Sequence, residues 1–249
     1  MSRGPEFVCA GCGTRVDPSR ALPFQCPGAV DADDIDHVLT PRLDLSDVGF
    51  PESPDPDPFV GYRRLMVPWH LATSQGMSDP DYVALVRELD AALIEVDGRG
   101  FRRTPLTWVQ ALDAWVKDET GNVSGSHKGR HLMGAMLTLR VMEALDLPMA
   151  RGLRERPLAI ASCGNAALAA AVIARAARWP IDVFIPPDAS ASVVARLQEL
   201  EARVHVCRRT DDTPGDPCVH AFGAAVAAGS VPFGVQGPAN ALSIEGGQT

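Results

Sequence analysis

Residues 158–177 read LAIASCGNAALAAAVIARAA, and this stretch decides the fold. Leu158 to Ser162 is a short apolar run that predicts a buried strand, and Ala166 to Ala177 predicts an alanine-rich helix. Between them lies a tight polar turn, in which Gly164 permits close approach of the backbone to a ligand. A strand, a turn and a buried helix form the repeating unit of a parallel α/β sheet.

The same alternation continues on both sides of this unit. An amphipathic helix is predicted from Asp79 to about Gly98, where glycine takes the left-handed cap conformation. Further helices are predicted over 132–145, 193–201 and 219–228, and strands over 181–185, 204–207 and 231–235, while 107–116 is compatible with a strand. The spacing predicts an α/β fold of parallel strands with crossover helices, in which ligands bind at the carboxyl ends of the strands.

The turn Ser162-Cys163-Gly164-Asn165 is a candidate binding site, because it joins a strand end to a helix start. Asn165 offers an amide to a cofactor oxygen, and Ser162, Cys163 and the helix-start amides are suited to a carboxylate. The alternative is a plain strand-to-helix cap, in which Asn165 satisfies backbone donors.

A second candidate is Lys128, in the stretch KDETGNVSGSHKGR at residues 117–130. The serine and glycine residues suit a turn and a helix start, which places the lysine in the first helical turn. The positive end of the helix dipole favours the neutral amine, and imine formation needs a neutral amine. The alternative is a surface lysine in a glycine-serine loop.

Together these segments resemble the fold type II pyridoxal-phosphate enzymes, the group of threonine synthase, serine/threonine dehydratases and cysteine synthase. In that family a Lys-Asp-Glu segment leads to Asn-Pro-Thr-Gly-Ser-Phe-Lys-Asp-Arg, followed later by a Ser-x-Gly-Asn turn. The corresponding segments here are 122–130 and 162–165, and three further motifs follow the family's order: Thr104-Pro105-Leu106, Phe184-Ile185-Pro186 and Glu245-Gly246-Gly247-Gln248-Thr249. The resemblance covers about residues 100 to 249 and implies a tryptophan-synthase-β-like fold.

The resemblance also implies a chemistry. Lys128 would form the Schiff base with pyridoxal 5′-phosphate and then act as general base, and Asn165 would orient the cofactor ring. Ser162, Cys163, Gly164 and Asn165 would bind the substrate. The implied activity is a threonine synthase-like lyase on a hydroxy- or phosphohydroxy-amino acid, with a serine/threonine dehydratase as the alternative. Members of the family are often homodimers, so a homodimer is implied as well.

Three departures from the family pattern bear on substrate identity more than on cofactor attachment. Val123 stands in place of proline, His127 in place of an aromatic or aliphatic residue, and Gly129 in place of aspartate. The family's phosphate-binding glycine-rich loop would follow the segment that ends at Thr249. The sequence therefore predicts a fragment that lacks much of the second domain.

The N-terminus carries Cys9-Ala10-Gly11-Cys12, then Cys26 and His37. Cys-x-x-Cys followed by glycine is typical of a zinc knuckle, and His37 is the candidate fourth ligand. Some threonine synthase relatives carry such an arm, so the resemblance favours a zinc-ribbon-like arm. The alternative is a former zinc ribbon that no longer binds metal. Any zinc here is predicted to be structural, because the cluster is distant in sequence from Lys128.

Composition excludes several other classes of protein. The chain has 249 residues, 46% of them apolar, and a net charge of -8, which opposes binding to nucleic acid or an anionic membrane. The uncharged stretch 157–174 approaches the length of a membrane span, but polar groups in its middle argue against that interpretation. No signal-peptide apolar region is visible, and the scattered cysteines suggest a reducing cytoplasm.

Five parts of the chain are predicted. They are a cysteine-bearing arm (1–43), a Pro/Asp-rich linker (44–60), the N-terminal part of a large cofactor domain (61–127), a small α/β domain (128–236) and the start of the remaining large domain (237–249). An interpretation of another class is a non-catalytic zinc-ribbon module fused to a degenerate α/β domain. A nucleotide-binding domain is disfavoured, because no Gly-x-Gly-x-x-Gly follows any strand.

Overall fold

The structure is a computed structural model that describes residues 4–30, 33–52, 55–209, 214–235 and 240–249. The predicted boundary between residues 236 and 237 lies outside the described residues. The division of the chain into five parts therefore stays a prediction.

The N-terminal arm is a small antiparallel sheet. Its strands are β1 (Glu6–Cys9), β2 (Arg15–Val16) and β3 (Leu39–Arg42), in the order β2-β1-β3. Phe7 on β1 and Leu39 on β3 are buried and give the arm an apolar interior. The interior is small, so a metal site nearby would add most to the stability of the arm.

Three helices follow, namely α1 (Pro58–Gly61), α2 (Val67–Ser74) and α3 (Asp79–Asp97). The predicted bounds of α3 are confirmed, and Gly98 takes the left-handed cap conformation with φ 71°. The predicted linker 44–60 ends with the first residues of α1. Asp57 begins this helix, because its Oδ1 accepts the Phe59 N–H at 2.8 Å and proline suits the first helical position.

Residues 107–116, predicted to be compatible with one strand, form most of a hairpin. Its strands are β4 (Leu106–Val109) and β5 (Ala114–Lys117). The chain reverses between them through a short 3-10 turn and Asp113, which has φ 49°. Trp108 pairs with Trp115 across the hairpin, and the two exposed rings meet edge to face at 5.7 Å.

The remainder is the predicted α/β alternation. After α4 (Lys128–Ala144) come β6 (Leu158–Ala161), α5 (Asn165–Ala176), β7 (Ile181–Ile185), α6 (Ala191–Glu199), β8 (Arg203–Val206), α7 (Pro217–Ala227) and β9 (Val231–Pro232). The strands form one parallel sheet in the order β8-β7-β6-β9. Since β6 lies at the centre of the order, the Ser162-Cys163-Gly164-Asn165 turn emerges from an interior strand.

Helix α4 is the centre of the core. It packs against α2, α5 and the segment 241–248, while α3 packs against α5. Met133, Met136 and Met142 on α4 are fully buried, as flexible side chains filling an irregular core often are. The described residues contain no helix of the length and apolarity that a membrane crossing requires.

Candidate active site and metal centre

The turn after β6 is open to solvent. Ser162 and Gly164 are half-buried, and Cys163 and Asn165 are exposed. Gly164 is the cap of α5 and Asn165 its first residue, and no side chain within the described ranges caps the helix. Asn165 is therefore not the plain helix cap that the alternative interpretation required, and the first amides of α5 remain available to a ligand.

Lys128 is the first residue of α4 and is half-buried. The turn before it contains two consecutive left-handed residues, Ser124 with φ 59° and Gly125 with φ 72°. The turn is closed by the Asn122 side-chain amide, which donates to the Ser126 carbonyl at 2.9 Å. A cavity of about 540 Å³ lies beside this turn, between residues 125–127 and the β4–β5 hairpin.

The two predicted segments lie on neighbouring elements. Helix α4 packs along α5, and residues 123–125 contact α5 as well. Within the described ranges, the side chains of Lys128 and Asn165 form no hydrogen bond to another protein group. Both polar groups are therefore free to contact a ligand.

One of the departures from the family pattern has a structural reason. A Cβ atom at Gly129 would lie 3.1 Å from the Val123 carbonyl oxygen and 3.4 Å from the Phe101 ring. Contacts that short would push the turn away from α4. Glycine at this position therefore allows the Lys128 turn to pack closely on the helix.

A buried network surrounds Arg130, two residues after Lys128, and was not predicted from the sequence. The Arg130 guanidinium donates to Glu119 Oε2 at 2.7 Å, to the Thr104 hydroxyl at 3.2 Å and to the Thr249 hydroxyl at 3.5 Å. It also donates to the Arg102 carbonyl at 3.0 Å. Burial acts to raise the pKa of Glu119, but hydrogen bonds from Arg130 and Thr104 outweigh it and hold that pKa below its usual value.

A second buried carboxyl belongs to Glu245. Both of its oxygens lie 2.8 Å from the Val67 backbone N–H at the start of α2. Burial raises the pKa of Glu245 to about 8. The next residue, Gly246, lies so close to α4 that an added Cβ would overlap the Arg130 carbonyl oxygen. Glu245 and Gly246 thus fix the segment after Asn240 against both α2 and α4.

Glu245→Gln is expected to flatten the pH dependence of stability. A carboxyl whose pKa rises on folding contributes stability below its unfolded pKa, and this contribution is lost as the pH rises towards about 8. The wild type should lose on the order of a few kcal/mol between about pH 5 and about pH 9, and the variant should lose less. Denaturant unfolding at the two pH values measures the loss of stability in the wild type and in the variant.

The control for this experiment is Glu95→Gln, because Glu95 is exposed on α3. Burial also raises the pKa of Asp57, to about 7. Asp57 contributes equally to every protein compared, so only the difference between variants reports on Glu245. An equal loss of stability in all three proteins would contradict the assignment.

The predicted metal ligands come together. One donor atom from each of Cys9, Cys12, Cys26 and His37 lies within 4.8 Å of the others. Cys12 Sγ lies 3.6 Å from Cys26 Sγ, and Cys9 Sγ lies 3.6 Å from His37 Nδ1. Three sulfurs and one imidazole nitrogen at this separation suit a tetrahedral zinc ion.

Groups behind these side chains prepare them for a cation. Asp33 lies 2.9 Å from His37 Nε2, which leaves Nδ1 directed at the cysteines. The hydrogen bond with Asp33 also raises the pKa of His37 to about 9, so a zinc ion at Nδ1 would have to displace a proton from the ring. Hydrogen bonds from Thr14 lower the pKa of Cys12 to about 6, which favours the thiolate that binds metal.

A profile of the family described as "Pyridoxal-phosphate dependent enzyme" matches residues 98–248, more than half of the chain. This chain belongs to that family. The match includes Lys128, the turn after β6 and the Arg130–Glu119 pair. Membership and the parallel sheet together establish a tryptophan-synthase-β-like α/β fold. Among curated proteins, no significant match is found.

Several solved structures are similar to this chain at low sequence identity. Maize serine racemase is 20% identical over 67% of this chain and 46% of its own, with a TM-score of 0.44. The apo form of Escherichia coli diaminopropionate ammonia lyase is 18% identical over 67% and 48%, with a TM-score of 0.47. Processed threonine deaminase isoform 2 from Solanum lycopersicum is 16% identical over 63% and 40%, with a TM-score of 0.42. The chain therefore spans less than half the length of these structures.

The family binds pyridoxal 5′-phosphate, whose aldehyde, ring oxygen and phosphate need an amine and hydrogen-bond donors. The described residues offer such groups at the first residues of α4 and α5, namely the Lys128 amine, the Asn165 amide and the uncapped amides of α5. There is also room beside them, because a Cβ added at Gly164 would meet no atom within 4 Å. The donor chemistry therefore fits the cofactor.

Proposed function

We propose that this chain carries the cofactor-attachment and carboxylate-binding part of a threonine synthase-like lyase. Its substrate would be a hydroxy- or phosphohydroxy-amino acid. The observation that carries the proposal is the placement of Lys128 and Asn165 at the first residues of two packed helices, where neither side chain has a hydrogen-bond partner among the described residues. The N-terminal Cys/His cluster supports the threonine synthase-like assignment, because the resemblance links such arms to that branch.

Each residue has a proposed task. The Lys128 amine attaches the cofactor and afterwards takes the proton from the substrate α-carbon as general base. When bound, pyridoxal phosphate withdraws electrons from that carbon. The Asn165 amide holds the ring oxygen, and Ser162, Cys163 and Gly164 bind the substrate carboxylate with the first amides of α5.

The carboxylate-binding proposal follows from charge and position. The N-terminus of α5 carries partial positive charge, and it lies at the carboxyl end of a central parallel strand. The Ser162 N–H already donates to the Phe184 carbonyl at 3.2 Å. This bond continues the ladder between β6 and β7, so the turn that follows is anchored to the sheet before it meets the substrate.

The test uses the fact that the chain contains only two lysines, Lys117 and Lys128. Added pyridoxal phosphate should produce a visible absorption band in the wild type and in Lys117→Arg, and none in Lys128→Ala. Borohydride should bleach the band and fix a covalent adduct, which peptide mass spectrometry should map to Lys128.

Two outcomes would contradict the proposal. A band of equal strength in Lys128→Ala would remove Lys128 from its role. A wild-type protein that binds zinc but gives no band, also after extension beyond Thr249, would favour the non-catalytic zinc-ribbon module instead. A band followed by turnover of a hydroxy-amino acid, but not of its phosphorylated form, would favour the dehydratase alternative.

A further inference from the structure

The turn that leads to Lys128 has an unfavourable backbone conformation. Ser124 is left-handed with φ 59°, which is disfavoured for residues other than glycine. The Asn122 Oδ1 and Ser124 Oγ atoms are also buried without a hydrogen-bond partner in the part of the chain that the structure describes. Such features persist only where neighbouring groups fix the backbone, and they concentrate at functional sites.

The groups that fix this turn come from the end of α3. Asp97 Oδ2 accepts the Ser124 N–H at 2.8 Å. The Arg99 guanidinium donates to the Thr120 carbonyl at 3.0 Å and to the Asn122 carbonyl at 3.4 Å. The residue between them, Gly98, has φ 71° and reverses the chain, so that Asp97 and Arg99 both contact the same turn.

Asp97 also contacts the parallel-sheet part of the molecule. Its Oδ1 lies 3.7 Å from Arg196 Nη2 on α6, and its side chain is 12% exposed. One carboxylate thus contacts α6 and the turn that sets the direction of the first residue of α4. Hydrogen bonds to a charged acceptor are stronger than neutral ones, so this contact is suited to hold a strained turn.

We propose that Asp97 is a positioning residue for Lys128, acting through the Ser124 N–H. The inference rests on the proposed function for what the positioned amine does. The anchor itself rests only on the distances between Asp97 and the turn. Arg99 supports the same turn from its other side, but it binds carbonyl groups and leaves the Ser124 N–H to Asp97 alone.

The first measurement is hydrogen exchange of the Ser124 amide, by NMR, in the full chain. Asp97→Ala should exchange this amide at least about tenfold faster, as loss of a hydrogen bond to a charged group implies. Asp97→Asn keeps an acceptor oxygen and should recover most of the protection. Asp146→Ala is the matched control, because Asp146 follows α4, remote from the Lys128 turn in sequence, and pairs with exposed Arg151.

The second measurement is a titration with pyridoxal phosphate, in which the amount of covalent adduct at Lys128 is measured. Asp97→Ala should need several-fold more cofactor for half-labelling and show a shifted pH profile, and Asp97→Asn should restore both. A purely structural role would lower the melting temperature without moving the pH profile. Arg196→Gln should leave the Ser124 amide protected, since only the contact with α6 is removed.

The outcomes distinguish failure of the Asp97 inference from failure of the proposed function. Unchanged Ser124 exchange in Asp97→Ala overturns the inference, whether or not the cofactor binds. Faster exchange with an unchanged titration and pH profile also overturns it, because the turn would then not position Lys128. Absence of the adduct in the wild type, also after extension beyond Thr249, overturns the proposed function, and with it the catalytic purpose of the turn. Ser124 exchange still shows whether the anchor exists.

Discussion

Arg130→Met is expected to lower the free energy of unfolding by up to about 3–5 kcal/mol, because it removes the buried guanidinium from a largely buried carboxylate and leaves it with the half-exposed Lys117 as its ion partner. The Arg130 side chain is 3% exposed and that of Glu119 14%, and Nε and Oε2 are 2.7 Å apart. The variant keeps the apolar stem of the side chain, so little packing is lost. Urea unfolding followed by circular dichroism at neutral pH measures the change.

Two further variants test the cause of this loss. Glu119→Gln combined with Arg130→Met removes the carboxylate charge that has lost its shortest ion pair and should recover part of the stability. Arg151→Met breaks an exposed pair with Asp146, and should cost no more than about 1 kcal/mol. If Arg130→Met lowered the free energy of unfolding no more than Arg151→Met, the Arg130–Glu119 pair would not hold the segments around Thr104, Glu119 and Thr249 together.

The α/β alternation could be predicted because it is written in local periodicity. The strand Ile181–Ile185 was predicted with its observed bounds, and Gly98 ended α3 as predicted. The four metal ligands could be proposed because cysteine and histidine have few other reasons to recur at such spacing. Patterns of this kind depend on residue type and separation, which the sequence displays directly.

Helix α4 shows where such patterns fail. Apolar periodicity predicted it only from Leu132, because its first turn contains no apolar side chain, whereas the serine and glycine residues before it placed Lys128 in the first turn, as observed. The Arg130 network could not be predicted either, since it joins residues up to 119 positions apart. One signal was present: Arg130 shares a helical face with Met133 and Leu137, and a charged residue on a buried face requires a partner.

Removal of metal is expected to unfold the N-terminal arm while the parallel sheet persists. The free energy of zinc binding to small structural sites, about 10–16 kcal/mol, is comparable to the whole stability of a domain. The sheet β2-β1-β3 has few buried side chains to replace it. The wild type should contain one zinc per chain by elemental analysis, and a chelator should abolish exchange protection in β1 and β3.

The loss should extend beyond the arm at one defined place. The Phe24 carbonyl, two residues before Cys26, accepts the Ala241 N–H at 3.0 Å. Two residues later, the Ser243 carbonyl bonds His131 Nδ1 on α4 at 2.8 Å. Chelation should therefore also speed hydrogen exchange of the Ala241 amide. Amides in the β6–β7 ladder should stay protected from exchange.

Single substitutions distinguish the effect of metal loss from any other effect of the chelator. Cys9→Ser removes a buried ligand and should reproduce the effects of the chelator, including the exposure of the Ala241 amide. Cys207→Ser is the control, because Cys207 lies outside the cluster and should leave one zinc per chain. An arm that keeps its protection in metal-free Cys9→Ser would show that β1, β2 and β3 fold on their own apolar contacts. The cluster would then be the remnant of a zinc ribbon rather than the support of one.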